Sequence, residues 1–254
     1  MSVTSIIIPT FNGLSLLISC IESIRSYTDV PYEVIVVDNG SRDGTLEYCQ
    51  KEKLLFISLP TNTGYPKACN LGMLAASGDQ ILLLNNDVIV SQGWLNTMLS
   101  ALYSEEQIGI IGPVATHVNG VQQVECHYSD MNQFQQIAGE WNVPDRSKWQ
   151  YAERIVGLCF LFRRELMDTI GMLDERFSPG HYEDDDYCFR ARSHGYKLLV
   201  CRDVLIHHEG SASFKRDYPD GWQELIDRNH QLFIDKWQVD PHQFIFPSRG
   251  GEGS

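Results

Sequence analysis

The first half of the chain alternates short apolar runs with longer segments whose apolar residues recur every three or four positions. The short runs are rich in Val, Ile and Leu and predict strands, whereas the longer periodic segments predict amphipathic helices. Predicted strands are 3–8, 33–37, 54–59, the run that ends at 87, and 108–111; predicted helices are 14–27, a short one from 45, one opened by 62–64 and continuing to 76, and 92–104. This alternation predicts an α/β fold, with a doubly wound, Rossmann-like and mostly parallel central sheet flanked by helices.

The pattern is less regular after residue 113. Residues 113–149 are dominated by Gln, Asn, Asp and aromatic residues without a clear period, which predicts a long loop with short strands or a variable insertion. Regular signals return in the remaining part: a strand over 154–162, a helix to 170, a strand over 197–201, a loop over 202–218 and an amphipathic helix over 222–237.

Length and charge narrow the class of protein. A chain of 254 residues is long enough for one large α/β domain or two small ones. Its net charge of −13 and the lack of any Lys/Arg cluster argue against a nucleic-acid-binding surface, which requires a basic stripe. An acidic protein that binds an anionic nucleotide needs a metal ion or backbone N–H groups to neutralise the phosphates.

The seven cysteines are scattered singly, without a C-x-x-C pair. This spacing favours reduced thiols in a cytoplasmic protein over a disulfide framework or a zinc site. No segment approaches the roughly 20 apolar residues that a membrane-spanning helix needs. We therefore expect a cytoplasmic protein without a transmembrane segment, with at most peripheral contact with the inner face of the membrane.

The run ILLLNND (81–87) is the most informative stretch. Its apolar part predicts a buried parallel strand, but two amides and a carboxylate at its end would not be accepted by an apolar core. Ligands bind at the carboxyl ends of strands in an open parallel sheet, so Asp87 is expected at a site. A carboxylate held there suits a hard divalent cation that in turn binds diphosphate oxygens. An Asx turn that merely closes the strand is the alternative.

Two further polar loops, 9–13 and 38–44, follow the first two predicted strands. They are expected to gather with Asp87 along one edge of the sheet. Both loops contain glycine, and a tight strand-to-helix turn needs glycine for positive φ whatever its function. Taken singly, each loop fits a ligand-binding edge and a plain structural turn equally well.

Residues 183–190, EDDDYCFR, form a second group of acids. Four consecutive acids are typical of a solvated face. Asp186 and Arg190 stand four apart in the order that favours a helix pair, which puts Glu183 and Asp184 at the helix start. The helix dipole favours ionised carboxylates there, and an ionised, positioned carboxylate is what a general base requires.

His207 and His208 follow a predicted strand. Histidines at such a position are more often surface residues or hydrogen-bonded core residues than metal ligands. A metal-binding carboxylate elsewhere in the chain favours the ligand interpretation, because imidazole often joins carboxylate in transition-metal sites.

Taken in order, these motifs resemble family 2 glycosyltransferases of the GT-A fold, of the rhamnosyltransferase-like kind that builds surface polysaccharides or glycosylates proteins. The resemblance covers about residues 3–237. The matching segments are SIIIPTFN (5–12), VIVVDNGS (34–41), NTG (62–64) followed by Ala68, Asn70 and Gly72, LNND (84–87), GMLDERF (171–177), EDDDYCFR (183–190) and the loop around His208.

The resemblance implies roles for individual side chains. The predicted nucleotide-binding residues are Pro9, Thr10, Asn12, Asp38, Lys67 and Asn86. Asp87, at the D-x-D position, would bind a Mn²⁺ or Mg²⁺ ion on the donor diphosphate. Asp184 matches the catalytic base with Glu183 in support, and His208 matches a histidine that completes the metal or diphosphate site. His207 competes with His208 because the histidine is doubled.

The chain departs from the family pattern at two places. The first two D-x-D positions are Asn85 and Asn86, so the metal site would have one acidic side chain. Cys69 occupies a position where related enzymes often carry an arginine near the diphosphate, and Lys67 is the candidate substitute.

The activity implied is single-displacement sugar transfer with inversion, from a UDP-, dTDP- or GDP-linked sugar to a hydroxyl of a glycan, lipid-linked or protein acceptor. The domain would span 1–240, with a donor half (1–112) and an acceptor and catalytic half (113–240). Residues 241–254 would be a disordered or vector-derived tail.

Two alternatives are a sugar-phosphate nucleotidyltransferase and a non-catalytic carbohydrate-binding module of the same fold. The first is expected to have a basic, Gly-rich loop after its first strand, and loop 9–13 has no Lys or Arg.

Overall fold

A computed structural model describes residues 2–210 and 221–245, which build a nine-stranded sheet and the helices that pack on it. The strands are β1 Thr4–Thr10, β2 Tyr32–Asp38, β3 Leu55–Ser58, β4 Gln80–Leu84, β5 Val88–Ile89, β6 Ile108–Ala115, β7 Trp149–Ala152, β8 Cys159–Arg163 and β9 Lys197–His208. The helices are α1 Leu14–Tyr27, α2 Thr45–Lys51, α3 Tyr65–Ala75, α4 Trp94–Leu102, α5 Met131–Trp141, α6 Arg164–Ile170, α7 Glu183–Ser193, α8 Trp222–Trp237 and α9 His242–Ile245.

The strand order is β3-β2-β1-β4-β8-β6-β9-β5, with β7 paired to β9. The first four strands are parallel, as the alternation of strands and helices predicts. β8 enters between β4 and β6 in the opposite direction, while β6 and β9 are parallel again. The sheet is therefore mostly parallel with an antiparallel insertion, which confirms the mostly parallel central sheet predicted from the sequence.

The sheet is covered by helices on both faces. All of β1 is buried, and its alternate residues serve two cores: Ile6 and Ile8 pack with α1 and α4, whereas Ile7 packs with α3. Gly72 allows α3 to lie this close, because a Cβ at that position would fall 2.3 Å from Ile7 Cγ2. A third, smaller cluster joins α8 and α9 to α7 through residues such as Phe233 and Phe244.

Three predicted segments differ from the structure. Helix α5 lies inside 113–149, where no helix was predicted, and its apolar Phe134 and Ala138 are buried at helical spacing. The predicted loop from 202 continues as β9 to His208, past a register shift opposite Pro113 and Val114. The predicted strand over 154–162 begins only at Cys159.

The C-terminal stretch also differs from prediction. Residues 242–245 of the expected tail form α9, and Phe244 is buried against α8. Residues 246–254 of that tail and 211–218 of the predicted loop lie outside the described residues. Over 2–210 and 221–245, every helix is too short or too polar to cross a bilayer.

Candidate active site

The carboxyl ends of β1 and β4 open into a cavity of about 580 Å³, which the start of α7 and the end of β9 close from the other side. This is the edge where parallel strands place ligand-binding loops. Seven of the residues predicted from the sequence line it: Pro9, Thr10, Asn86, Asp87, Glu183, Asp184 and His208.

The other three predicted residues lie elsewhere. Asn12 lines a second cavity of about 320 Å³, which shares Phe11 and Asn62 with the first. Asp38 and Lys67 are not among the described residues that line either cavity, and Lys67 is exposed on α3. The substitute role for Lys67 near a diphosphate therefore has no geometric support within the described chain.

Asp38 and Asn12 join the first two loops to each other. The Asp38 carboxylate is buried and accepts hydrogen bonds from the Ser41 N–H at 3.0 Å and the Ser58 hydroxyl at 3.1 Å. Asn12, in the left-handed region at φ 46°, donates its N–H to Ser41 Oγ, and its Oδ1 accepts from the Arg42 N–H. Both side chains thus fix the shape of the loops that border the two cavities.

Asn86 and Asn39 hold the floor of the main cavity. Asn86 Nδ2 donates to Thr10 Oγ1 at 2.7 Å, which ties the end of β4 to the end of β1. Asn39 Oδ1 accepts from the Thr63 N–H at 2.8 Å, and its Nδ2 donates to the Gly64 carbonyl. The NTG segment at the start of α3 is therefore positioned by the residue that follows β2.

Asp87 and His208 lie side by side in the lining of the cavity. Asp87 is 5% exposed, and its Oδ1 lies 3.3 Å from His208 Nε2. His208 Nδ1 lies 2.6 Å from the His117 carbonyl, so Nδ1 carries the proton in that contact and Nε2 is left toward Asp87. Burial lowers the pKa of His208, but hydrogen bonding to Asp87 and its charge outweigh burial and raise it.

The side chains of His207 and His208 lie on opposite faces of β9 because the two residues are neighbours on a strand. His207 points to the opposite face of β9, where its Nδ1 meets the Tyr128 hydroxyl and its ring packs edge-on to Phe134. Burial lowers the pKa of His207 despite Glu209 nearby. Only His208 of the pair lines the main cavity among the described residues, which favours His208 over His207 as the site histidine.

The donor set at Asp87 fits a divalent cation. Asp87 Oδ1 is buried, and the polar atom that approaches it among residues 2–210 and 221–245 is His208 Nε2 at 3.3 Å, longer than a good charge-assisted hydrogen bond. His208 presents Nε2 to the same point, with its ring fixed by the His117 carbonyl, as in histidines that ligate metals. Carboxylate with imidazole suits Mn²⁺ and similar ions.

Asp184 lies opposite, at the start of α7, beneath the loop that precedes β8. Its Oδ2 accepts a hydrogen bond from the Gly157 N–H at 2.9 Å, and the Gly157 carbonyl accepts from the Tyr65 hydroxyl at 3.0 Å. A Cβ on Gly157 would come within 3.3 Å of Asp184 Cβ, so glycine permits this approach. Asp184 is therefore oriented while it still lines the cavity.

Glu183, the neighbour of Asp184, differs from it in hydrogen bonding and in protonation. It is 8% exposed, and its Oε2 has no hydrogen-bond partner in the described part of the chain. Burial, reinforced by the charge of Asp184, raises the pKa of Glu183 well above 4.5. A protonated Glu183 beside Asp184 leaves Asp184 as the acid of the pair that is suited to accept a proton.

The next acid, Asp185, turns away from the cavity and pairs with Arg154. Arg154 Nε lies 2.5 Å from Asp185 Oδ1, and Arg154 Nη2 lies 3.8 Å from Asp184 Oδ2. Burial raises the pKa of Asp185 to about 7, although Arg154 opposes the shift. The arginine lines the cavity and brings a positive charge to an otherwise acidic corner.

Asp186 anchors α7 to its neighbours. It is fully buried and accepts hydrogen bonds from Arg190 Nε at 2.9 Å, Lys236 Nζ at 2.5 Å and Trp237 Nε1 at 2.8 Å. The pair of Asp186 with Arg190, predicted from their spacing, is confirmed. Its two partners on α8 show that this acid supports the fold.

Several cavity residues were not predicted from the sequence. They come from loops or from the first residues of helices: Asn39, Tyr65, Thr116, His117, Asn119, Arg154, His181 and Trp222. Asn39 lies within the VIVVDNGS segment (34–41) and Tyr65 directly follows the NTG segment (62–64), so these motifs could have indicated both residues. No pattern in the sequence indicated Arg154.

Much of the chain is similar in sequence to known proteins. Residues 5–171 match the family described as Glycosyl transferase family 2. Chondroitin synthase of Pasteurella multocida (strain Pm70) is 27% identical over 237 residues, which cover 81% of this chain and 24% of that protein.

Two solved structures share the fold. A mannosyltransferase from Pyrobaculum calidifontis, in complex with GDP-Man and Mn²⁺, has a TM-score of 0.58 at 20% identity and covers 81% of this chain and 56% of its own. GalNAc-T7, with UDP, GalNAc and Mn²⁺, has a TM-score of 0.66 at 16% identity, over 82% of this chain and 44% of its own. At these identities the likeness shows the GT-A fold alone.

The sequence matches cover only part of the relative and only part of this chain. The chain spans about a quarter of the length of the chondroitin synthase. The family match ends at residue 171, before Glu183, Asp184 and His208, so their roles depend on the geometry described above.

Proposed function

Because the chain belongs to glycosyl transferase family 2, we propose that it transfers a sugar from a nucleoside diphosphate sugar to an acceptor hydroxyl, with inversion at the anomeric carbon. The observation that carries the proposal is that one cavity is lined both by Asp87 with His208 beside it and by Asp184, whose carboxylate is oriented by the Gly157 N–H. The donor would occupy the edge formed by the ends of β1, β2 and β4.

In this proposal the nucleotide is held by Pro9, Thr10 and Asn86 in the main cavity, and by Asn12 and Asp38, which shape the loops beside it. Asp87 and His208 would hold Mn²⁺ or Mg²⁺, which when bound neutralises charge on the donor diphosphate. The ion in the structures of the mannosyltransferase and GalNAc-T7 supports this choice for the present chain.

Asp184 would act as the general base. It takes the proton of the acceptor hydroxyl while that oxygen bonds to the anomeric carbon, and the bond from that carbon to the diphosphate oxygen breaks with its electron pair on the leaving group. The hydrogen bond from Gly157 orients the carboxylate, and the protonated state favoured for Glu183 limits charge repulsion beside it. No second nucleophile is required.

The acceptor class, the rhamnosyl subtype and the cytoplasmic location remain predictions. A glycan, a lipid-linked sugar and a protein hydroxyl are all compatible with the proposed chemistry. All seven cysteines are free, which is compatible with a reducing compartment.

The test has two stages. A thermal-shift screen with UDP-, dTDP- and GDP-linked sugars, with and without Mn²⁺, should identify one donor that stabilises the protein, since ligand at 100 times its Kd adds about 2.7 kcal/mol. Hydrolysis or transfer of that donor is then measured. A protein that binds the donor and never cleaves it would be a binding module. Formation of a nucleotide sugar from a nucleoside triphosphate and a sugar phosphate would make it a nucleotidyltransferase.

The base is tested with neighbouring variants. Asp184→Asn should keep donor binding and lose about 10²–10⁴ in turnover, the usual cost of removing a general base. Asp185→Asn is the matched control, because Asp185 does not face the cavity and should retain turnover per folded molecule. A dead Asp185→Asn with an active Asp184→Asn would contradict the assignment.

A further inference from the structure

Residues 178–182 approach the acid pair in a backbone conformation that is unfavourable for L-residues. His181 and Tyr182 both lie in the left-handed region, at φ 72° and 70°, and neither is glycine. Tyr182 is the last residue before α7, and its side chain makes no capping hydrogen bond. The direction of the first turn of α7, and with it Asp184, therefore depends on what holds this loop.

The amide of Asn229 on α8 holds the loop. Asn229 is fully buried, and its Nδ2 donates to three carbonyls: Phe177 at 2.8 Å, Gly180 at 2.8 Å and His181 at 2.9 Å. Two N–H bonds serve three acceptors, so at least one of them is shared. The three carbonyls span the turn on both sides of Gly180, and one side chain fixes their relative positions.

A second side chain completes the arrangement. Arg228 donates to Asn229 Oδ1 from Nε at 3.0 Å and from Nη2 at 2.7 Å, and its Nη2 also donates to the Ser178 carbonyl. The Asn229 amide is thus oriented so that its N–H groups must face the loop. From the other side, the Tyr65 N–H donates to the Pro179 carbonyl at 2.8 Å.

We propose that Asn229 is a positioning residue for sugar transfer, which keeps the 178–182 loop in its strained conformation so that Asp184 points into the cavity. The proposal rests on the function proposed above, with Asp184 as base. Asn229 does not line the cavity among the described residues, so it acts through the loop and not on the substrate. A buried amide that only filled space would not be expected to donate hydrogen bonds to three carbonyls of one loop.

The test compares Asn229→Ala with Asn142→Ala. Asn142 is also a buried amide that donates to two loop groups, Ser91 Oγ at 2.8 Å and the Gln92 carbonyl at 2.9 Å, but it lies away from the acid pair. Both variants should lose stability, so rates are measured per folded molecule, well below either melting temperature. Asn229→Ala should lower kcat about 10–100-fold with unchanged KM for the donor, since a misplacement of about 1 Å has effects of this size. Asn142→Ala should keep kcat.

Arg228→Ala provides a variant that removes no buried side chain, because Arg228 is exposed. It should lower kcat in the same direction but less, and it decides the question if Asn229→Ala does not fold. Wild-type kcat in both Arg228→Ala and any folded Asn229→Ala would overturn the positioning role, as would a change in donor KM alone. Asp184→Asn is assayed alongside: if it keeps full turnover, the proposed base is wrong, whereas a dead Asp184→Asn with an unaffected Asn229→Ala refutes only the present inference.

Discussion

Glu183→Gln is expected to make the stability of the protein less sensitive to pH. Glu183 is buried, and its raised pKa means that the folded chain keeps a proton that the unfolded chain releases above pH 4.5. The unfolded state is therefore favoured as the pH rises through this window, and stability contributed by the protonated side chain is lost. Glutamine has nearly the same shape and does not titrate.

The magnitude follows from the linkage. While Glu183 remains protonated in the folded chain, each pH unit above its ordinary pKa costs about 1.4 kcal/mol, or about 2.7 kcal/mol over two units. The buried Gln amide adds a cost of its own because Oε2 has no partner among the described residues, but this cost does not vary with pH. The diagnostic quantity is therefore the pH dependence of the difference in unfolding free energy between the variant and the wild type.

Thermal melts of both proteins between about pH 4.5 and about pH 6.5 measure that change. The variant should gain melting temperature relative to wild type as the pH rises, by at most about 10 °C over this range, because 1 kcal/mol shifts the melting temperature by about 2–4 °C in a chain of this size. A difference that stays constant across the range would show that Glu183 is ionised in the folded protein. The division of roles between Glu183 and Asp184 would then be wrong.

Two further substitutions test the surroundings of the site. Asp186→Asn leaves Arg190 without its buried counter-charge and leaves Lys236 with Asp174 alone, so it should cost about 3–5 kcal/mol in urea denaturation, and a loss below about 1 kcal/mol would contradict the anchoring role. Asp38→Ala should weaken nucleotide binding by about 1.5–3 kcal/mol if the carboxylate bonds the nucleotide. Calorimetry that gives wild-type affinity for a folded Asp38→Ala would restrict Asp38 to its contacts with Ser41 and Ser58.

The sequence predicted the structure best where one hydrophobic pattern was sufficient to identify a strand or a helix. Continuous apolar runs identify β1 and β4, and the polar residues that end them had to lie at one sheet edge, which the cavity around Thr10 and Asp87 confirms. The reversed direction of β8 depends on contacts distant in sequence, which no local period records. Helix α5 did have helical spacing at Phe134 and Ala138, but the many amides around them obscured it.

Side-chain pairings were harder to predict than positions. The alternation of residues along β9 separates His208 from His207, but only once both are known to lie on a strand. Arg154 meets Asp184 and Asp185 because the loop before β8 folds back over α7, which local spacing does not reveal. For the same reason, the link from Asn229 to the loop before Glu183 was visible only in three dimensions.

The central claim, a metal-dependent site for a nucleoside diphosphate at Asp87, is tested most directly by calorimetry with UDP, dTDP and GDP. Binding of one of them should be tight with Mn²⁺, weak in EDTA, and equally weak with and without Mn²⁺ in Asp87→Ala. Asp168→Ala, which removes an exposed aspartate on α6, should behave as wild type. Equal affinity in Mn²⁺ and in EDTA for the wild type, together with normal binding by Asp87→Ala, would contradict the account.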